Sequence, residues 1–140
     1  MFDHCFERAG SVYGIEPRLL RAIAQVESSM KPWAIGVNKD GSIDIGLMQI
    51  NSRWIKTAGI DKSWLFDPCY SAHFGAMVLR LCMDSFKDLK QAVDCYNKGK
   101  RASSDSEYVR KVMAIYEGKT YPKPKRETYI EPIAVIFGRF

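Results

Sequence analysis

The sequence predicts a mainly α fold with one small β-hairpin, that is, an α+β domain dominated by helices. Apolar residues recur at helical spacing through most of the chain, whereas the segment around Asp40-Gly41 has a hairpin-turn dipeptide between two short runs. The chain has 140 residues, of which 46% are hydrophobic. A chain of this length and composition is expected to form a single domain with a sizeable core.

Two helices are predicted at the start of the chain. The first ends near Gly14, and the second begins at Pro17, because the fixed φ and missing N–H of proline suit a first helical position. Pro32 closes the second helix. The first helix contains the apolar residues Cys5, Phe6, Ala9 and Val12. One face of the second helix contains Leu19, Leu20, Ile23, Ala24 and Glu27.

The β-hairpin is predicted to join residues 33–38 to residues 42–47 through the Asp40-Gly41 turn. A further helix follows it, with Asn51 or Ser52 as the cap. This helix is expected to run through Ala58 and to end at Gly59 in the left-handed conformation.

Three more helices are predicted in the second half of the domain. The first starts at Asp67-Pro68, the second stops at Gly99, and the third starts with a capping box formed by Ser104 and Glu107. Their apolar positions are Ala72, Ala76, Leu79 and Met83 in the first, Leu89, Ala92, Val93 and Tyr96 in the second, and Val109, Val112 and Tyr116 in the third.

The composition changes after Gly118, which divides the chain into a domain at residues 1–118 and a C-terminal tail at residues 119–140. The tail contains three prolines and a group of basic residues, followed by the apolar run from Ile133 to Phe137. Two interpretations stay open. The tail is either an extended strap or disordered terminus, or a segment that docks a partner.

Four cysteines in a small domain, Cys5, Cys69, Cys82 and Cys95, predict two disulfides and therefore an oxidising compartment, with buried free thiols as the alternative. A helix from Pro68 to about Asp84 separates Cys69 from Cys82 by roughly 20 Å, which excludes that pair. Two pairings remain. We favour Cys69 with Cys95 and Cys5 with Cys82, because antiparallel helices bring the start of one near the end of the other.

The chain has a net charge of +5, which suits an anionic polymer. We expect no nucleic-acid partner, because the sequence contains no RNP-like run and no Cys/His zinc spacing. No apolar stretch reaches the roughly 18 to 20 residues of a membrane span, and residues 1–4 lack the pattern of a signal peptide. We therefore expect a soluble chain that is already processed. The two predicted disulfides favour an exported, periplasmic protein, and we expect a monomer.

A carboxyl group on the apolar face of a helix is a candidate catalytic acid. Burial against hydrocarbon raises the pKa of a carboxyl group such as that of Glu27, so that it keeps its proton near neutrality, as an acid that cleaves glycosidic bonds requires. A tolerated structural glutamate is the alternative. Polar groups suited to binding sugar hydroxyls and N-acetyl carbonyls lie in three other places, namely Ser28, Gln49 with Asn51, and Tyr96 with Asn97.

Three sequence runs resemble the signatures of the soluble lytic transglycosylase family. They are Leu20-Arg21-Ala22-Ile23-Ala24-Gln25-Val26-Glu27-Ser28-Ser29, Gly46-Leu47-Met48-Gln49-Ile50-Asn51 and Cys95-Tyr96-Asn97-Lys98-Gly99. The resemblance covers residues 5–118 and is closest to the small exported enzymes of secretion, conjugation and pilus systems. It implies a lysozyme-like fold, peptidoglycan glycan strands as the substrate, a secretion or pilus component as a partner, and no cofactor.

The resemblance also implies roles for individual residues. Glu27 matches the catalytic acid, Ser28 the hydroxyl beside it, and Gln49 an amide that contacts substrate. Tyr96 and Asn97 match a pair near the catalytic glutamate. The residues that shape the groove wall are Gly46 and Met48. The sequence departs from the family where Cys95 and Lys98 replace small residues, which the retained Gly99 makes tolerable.

A second carboxylate candidate is Asp44, which stands where many family members have a small residue. Its place on a hairpin after Glu27 resembles the Glu/Asp arrangement of animal-type lysozymes. Asp44 is either a second catalytic group or a brace of the hairpin.

The segment around Asp40-Gly41 does not fit a calcium-binding EF-hand loop, because the first and twelfth positions of that loop would be Gly36 and Leu47. We expect no metal.

Three functions follow from these residues. In the first, Glu27 cleaves the β-1,4 bond between N-acetylmuramic acid and N-acetylglucosamine and forms a 1,6-anhydro product. In the second, Glu27 and Asp44 act as a hydrolytic muramidase. In the third, the chain is a silent peptidoglycan-binding scaffold, which the combination of Glu27, Gln49, Tyr96 and Asn97 argues against.

Overall fold

A computed structural model of the chain describes residues 1–118. Within this range it has six α-helices and one three-stranded sheet, the mainly α architecture with a small β-element that the sequence predicts. The helices are α1 Asp3–Tyr13, α2 Pro17–Ser28, α3 Arg53–Ala58, α4 Pro68–Ser85, α5 Leu89–Lys98 and α6 Glu107–Tyr116. The strands are β1 Ile35–Val37, β2 Ile43–Ile45 and β3 Ile50–Asn51. Two short 3₁₀ helices cover Lys62–Phe66 and Gly99–Arg101.

Helix α2 lies in the core and packs against α1 and α6. Its side chains Leu20, Ile23 and Ala24 are fully buried, which removes their apolar surface from water. The helix ends at Ser28, and Ser29 and Met30 then take left-handed backbone angles with φ of 54° and 64°. The chain therefore turns sharply after the C-terminal end of α2, before the sheet begins.

The sheet is antiparallel in the order β1-β2-β3, with Ile35 opposite Ile45 and Asp44 opposite Asn51. The predicted hairpin is confirmed. In its turn, Asp40 accepts hydrogen bonds from both the hydroxyl and the backbone N–H of Ser42, and these bonds lower the pKa of Asp40. The third strand has two residues, too few for alternation to reveal it in the sequence.

Aspartates cap the N-termini of helices α4 and α5. Asp67 caps α4, the position at which the sequence predicts that this helix begins. The predicted capping box of Ser104 and Glu107 is wrong. The cap of α6 is Ser106, whose hydroxyl oxygen accepts from the backbone N–H of Val109 at 3.1 Å. The same hydroxyl donates to the buried carboxylate of Asp94 on α5 at 2.7 Å, and this tertiary contact fixes where α6 begins.

Both disulfides are present, but the favoured pairing is wrong. The bonds join Cys5 to Cys69 and Cys82 to Cys95, the other pairing that the exclusion of Cys69 with Cys82 allows. The preference assumed that neighbouring helices run antiparallel. Helices α1 and α4 instead begin side by side, whereas α4 and α5 form the antiparallel pair, so Cys82 meets Cys95.

Among residues 1–118, no helix combines the length and apolar character that crossing a bilayer requires. The tail predicted at residues 119–140 lies outside the described residues, and the boundary at 118 stays a prediction.

The two disulfides allow a test of the pairing. They close chain segments of 64 and 13 residues, for which the chain-entropy model gives stabilisations of about 4 and about 3 kcal/mol. We expect replacing Cys5 and Cys69 together by alanine to lower the free energy of unfolding more than replacing Cys82 and Cys95 together. Urea denaturation of the two double variants measures the difference. A larger loss at Cys82 and Cys95 would contradict the expectation.

Candidate active site

The carboxyl group of Glu27 lies at the end of the apolar face of α2 and is 8% exposed. The hydroxyl of Tyr108 on α6 donates a hydrogen bond to Glu27 Oε2 at 2.8 Å. This contact fixes the carboxyl group from a helix that begins far later in the chain. The sequence analysis missed Tyr108, because 81 residues separate it from Glu27 and no local pattern links the two.

The hydroxyl of Ser28 joins the end of α2 to the segment that follows β2. It lies 2.7 Å from the carbonyl oxygen of Leu47 and 3.1 Å from that of Ala24, and it accepts from the backbone N–H of Lys31. Ser28 has no exposed surface. Its hydroxyl therefore holds the Gly46–Gln49 loop, defined as residues 46–49, against the helix end that carries Glu27.

The backbone of the Gly46–Gln49 loop takes an unusual path. Gly46 has φ of 81° and Gln49 has φ of 53°, a left-handed angle that a residue with a Cβ seldom adopts. The side-chain amide of Gln49 donates to the carbonyl oxygens of Ala34 and Gly46 at 3.1 and 3.0 Å. Gln49 is 1% exposed, so its amide nitrogen braces the loop from inside.

Met48 and Tyr96 attach the same loop to α4 and α5. The backbone N–H of Met48 donates to the Ser71 hydroxyl at 3.0 Å, and its side chain packs against Gly75, where a Cβ would lie only 2.7 Å from the methionine methyl group. The phenol of Tyr96 donates to the carbonyl oxygen of Met48 at 2.6 Å. Tyr96 thus orients the loop.

An open cleft of about 1100 Å³ lies beside this loop. Its lining comes from the hairpin, α3, α4, α5 and the 3₁₀ helix that follows α5. The predicted site residues that line the cleft are Asp44, Asn51, Tyr96 and Asn97. Those that do not line it are Glu27, Ser28, Gly46, Met48 and Gln49.

Tyr96 connects these two groups, because it lines the cleft and also bonds the loop that Ser28 ties to α2. The structure therefore brings Glu27, Tyr96 and the Gly46–Gln49 loop into one connected arrangement. The catalytic and binding roles of these residues stay predictions.

Asp44 is fully buried in β2 although it borders the cleft. Its two carboxylate oxygens accept hydrogen bonds from the side-chain amides of Asn51 at 3.0 Å and Asn38 at 3.1 Å. Asn51 in turn accepts from the backbone N–H of Arg53 at the start of α3. Asp44 therefore organises the side of the sheet that faces the cleft. Asn38 is a further residue that the sequence analysis missed.

One group of metal-ligating residue types occurs within residues 1–118. His4, Cys5 and Cys69 place their ligand atoms within 4.8 Å of one another. Cys5 and Cys69 form a disulfide, so neither offers the thiolate that a metal ion would bind.

Comparison with known proteins identifies relatives along almost all of the described range. A family model described as "Transglycosylase SLT domain" matches residues 4–116. The "Invasion protein IagB" of Salmonella typhimurium is 44% identical over 119 residues, covering 80% of this chain and 74% of that protein. "Protein IpgF" of Shigella flexneri is 35% identical over 116 residues, covering 80% and 76%. A "Peptidoglycan-binding-like protein" of Escherichia coli O157:H7 is 34% identical over 126 residues, covering 80% and 75%.

The loop geometry gives a test with a matched control. A Cβ on Gly46 would lie 2.2 Å from the carbonyl oxygen of Leu65, whereas a Cβ on Gly41 would meet nothing within 4 Å. Both glycines have similar positive φ, 81° and 88°, so both alanine variants carry the same backbone strain. We expect Gly46→Ala to lower the free energy of unfolding by about 1 to 3 kcal/mol more than Gly41→Ala in urea titrations. Equal losses would mean that the loop tolerates the added methyl group.

Proposed function

Since the chain belongs to the transglycosylase SLT family, we propose that it is a peptidoglycan lytic transglycosylase with Glu27 as the catalytic acid. The observation that carries the proposal is the position of Glu27, buried at the end of α2, bonded by Tyr108 and adjacent to the serine that ties the Gly46–Gln49 loop in place. A carboxyl group in such a setting is fixed and shielded from bulk water, as general acid catalysis requires.

The chemistry proceeds in two proton transfers. Glu27 donates its proton to the oxygen that joins N-acetylmuramic acid to N-acetylglucosamine. The bond between this oxygen and C1 of the muramic residue then breaks through an oxocarbenium-like state. The resulting carboxylate takes the proton of the C6 hydroxyl, whose oxygen then bonds C1 of the same muramic residue. The ring closes as a 1,6-anhydro sugar, water is not consumed, and Glu27 regains its proton.

The other predicted site residues serve binding and positioning. Asn51 and Asn97 border the cleft, where amide groups hydrogen-bond sugar hydroxyls and N-acetyl groups. Ser28, Gly46, Met48, Gln49 and Tyr96 hold the loop beside Glu27. The relative named "Peptidoglycan-binding-like protein" supports the same substrate for this chain.

The location of the activity follows from the disulfides and the relatives. Two disulfides are typical of an oxidising compartment, and peptidoglycan is reached from the periplasm in Gram-negative cells. The resemblance to the small exported enzymes of secretion, conjugation and pilus systems supports a role beside such an apparatus, where a local opening of the wall is needed. We propose that this chain makes such an opening.

Glu27→Gln tests the acid. The variant keeps the size of the side chain and an oxygen that accepts from Tyr108, so we expect an unchanged melting temperature. Turnover should fall by about 10² to 10⁴-fold or more, because an amide has no proton to donate to the bridge oxygen. Release of muropeptides from purified sacculi, resolved by mass spectrometry, measures both rate and product. Glu7→Gln, on the exposed side of α1, is the control and should be fully active.

Three outcomes of that experiment would overturn the proposal. A folded Glu27→Gln variant that remains active would remove the catalytic assignment. Products heavier by one water than the anhydro sugars would indicate the hydrolytic muramidase. Binding to sacculi by the unaltered protein without any release of muropeptides would indicate a scaffold.

Asp44 borders the cleft, and this position supports a role for it as a second carboxylate in the reaction. We expect Asp44 to stabilise the developing positive charge of the transition state through its own negative charge. Asp44→Asn then lowers turnover per folded molecule by at least about tenfold, since 1.4 kcal/mol of lost stabilisation corresponds to that factor. Asn38→Ala is the matched control, because it removes one hydrogen bond to Asp44 and leaves the charge.

The comparison separates the charge of Asp44 from its structural contacts. Both variants should lower the free energy of unfolding, by about 1 to 3 kcal/mol each, through loss of a buried hydrogen bond. A turnover loss in Asp44→Asn that Asn38→Ala does not share supports the electrostatic role. Equal turnover in the two variants would make Asp44 a brace of the hairpin.

A further inference from the structure

The cleft is cationic although the polymer backbone proposed to occupy it is not charged. Its lining has four cationic side chains, Lys39, Arg53, Lys98 and Arg101, and two anionic ones, Asp40 and Asp44, which gives a net charge of +2. A glycan of alternating N-acetylglucosamine and N-acetylmuramic residues, with its lactyl groups in amide linkage, carries no charge of its own. The sugar chain therefore does not account for these cations.

Two of the four cations are engaged by the protein itself. Arg53 lies 3.4 Å from Asp40 across the base of the hairpin turn. Lys98 lies 3.2 Å from the buried carboxylate of Asp94. These two side chains neutralise part of the charge that the cleft would otherwise present.

Lys39 and Arg101 are different. Within residues 1–118, neither forms an ion pair or a side-chain hydrogen bond, and both are exposed. Lys39 lies in the hairpin turn, and Arg101 ends the 3₁₀ helix that follows α5. Both line the cleft, one from the hairpin turn and the other from the 3₁₀ helix, and each presents its charge to the cleft.

We propose that Lys39 and Arg101 bind free carboxylates of the peptide stems that branch from the glycan, so that the enzyme prefers strands with free stem carboxylates to strands in which these carboxylates are amidated. The inference rests on the proposed function, since it assumes that the glycan lies in this cleft. Peptide stems leave the strand at the lactyl groups of the muramic residues and carry free carboxylates. A guanidinium and an ammonium that line the same cleft match that chemistry, because each binds a carboxylate by a charge-assisted hydrogen bond.

The experiment compares two substrates. One is soluble glycan strands with intact peptide stems, and the other is the same strands after the free carboxylates of the stems have been converted to amides. For the unaltered protein, we expect a higher kcat/KM on the strands with free stem carboxylates. In the double variant Lys39→Gln with Arg101→Gln, this preference should fall by about 2- to 30-fold, the range expected for two exposed ion pairs. Added salt should lower the preference of the unaltered protein in the same direction.

The control is the double variant Arg8→Gln with Lys90→Gln, which removes two exposed positive charges that do not line the cleft. It should keep the preference of the unaltered protein, which excludes an effect of net charge alone. Equal kcat/KM on the two substrates before any substitution would overturn the inference and leave the transglycosylase proposal intact. Equal losses on both substrates in the Lys39 and Arg101 variant would also overturn it.

A second comparison tests whether Lys39 and Arg101 bind peptide carboxylates or the phosphates of another polymer. The inactive Glu27→Gln protein is titrated with peptide-bearing strands and with teichoic acid, a phosphate polymer. Tighter binding of the strands, lost in the Lys39 and Arg101 variant, supports the peptide carboxylates. Tighter binding of the phosphate polymer would overturn the assignment, and absence of cleavage of either glycan by the unaltered protein would overturn both proposals.

Discussion

The hydrogen bond from the Ser28 hydroxyl to the Leu47 carbonyl oxygen joins the two parts of the candidate site. On one side of it is the end of α2, where Glu27 lies. On the other side is the Gly46–Gln49 loop, which also has hydrogen bonds to Ala34, Ser71 and Tyr96. Because the loop has left-handed backbone angles at both ends, it needs such contacts to hold its shape. The spatial relation of the helix end to the cleft depends on this bond.

The two faces of the sheet have different roles, since one borders the cleft and the other packs against the core. Asp44 and its cross-strand neighbour Asn51 lie on the side that borders the cleft, whereas Ile45 and Ile50 are buried on the other. The strands are too short to be stable alone, so their stability depends on the apolar face against the core. The polar face is consequently presented to the cleft as a fixed set of carboxylate and amide groups, held together by the bonds from Asn38 and Asn51.

Features with a local physical cause were predictable. Helix α2 was evident from Pro17 and its apolar stripe, α4 from Asp67-Pro68, and the hairpin from the Asp40-Gly41 turn. Features that depend on long-range contacts were not predictable from the sequence. Ser106 rather than Ser104 caps α6 because Asp94 holds its hydroxyl, and the disulfide pairing follows from which helix ends meet. The spacing of residues in the sequence predicts neither the cap of α6 nor the disulfide pairing, since both depend on how complete helices pack.

The sequence by itself determined that Glu27 lies on a buried helix face, that a polar loop and a tyrosine-asparagine pair accompany it, and that the chain resembles the transglycosylases to which it belongs. These are properties of local periodicity and of motif order. Only the tertiary structure decided that Tyr108 bonds Glu27, that Tyr96 bonds the loop, and that Lys39 and Arg101 line the same cleft. The physical reason is that a side chain's partner is set by the packing of elements far apart in the chain, where many arrangements satisfy the same local pattern.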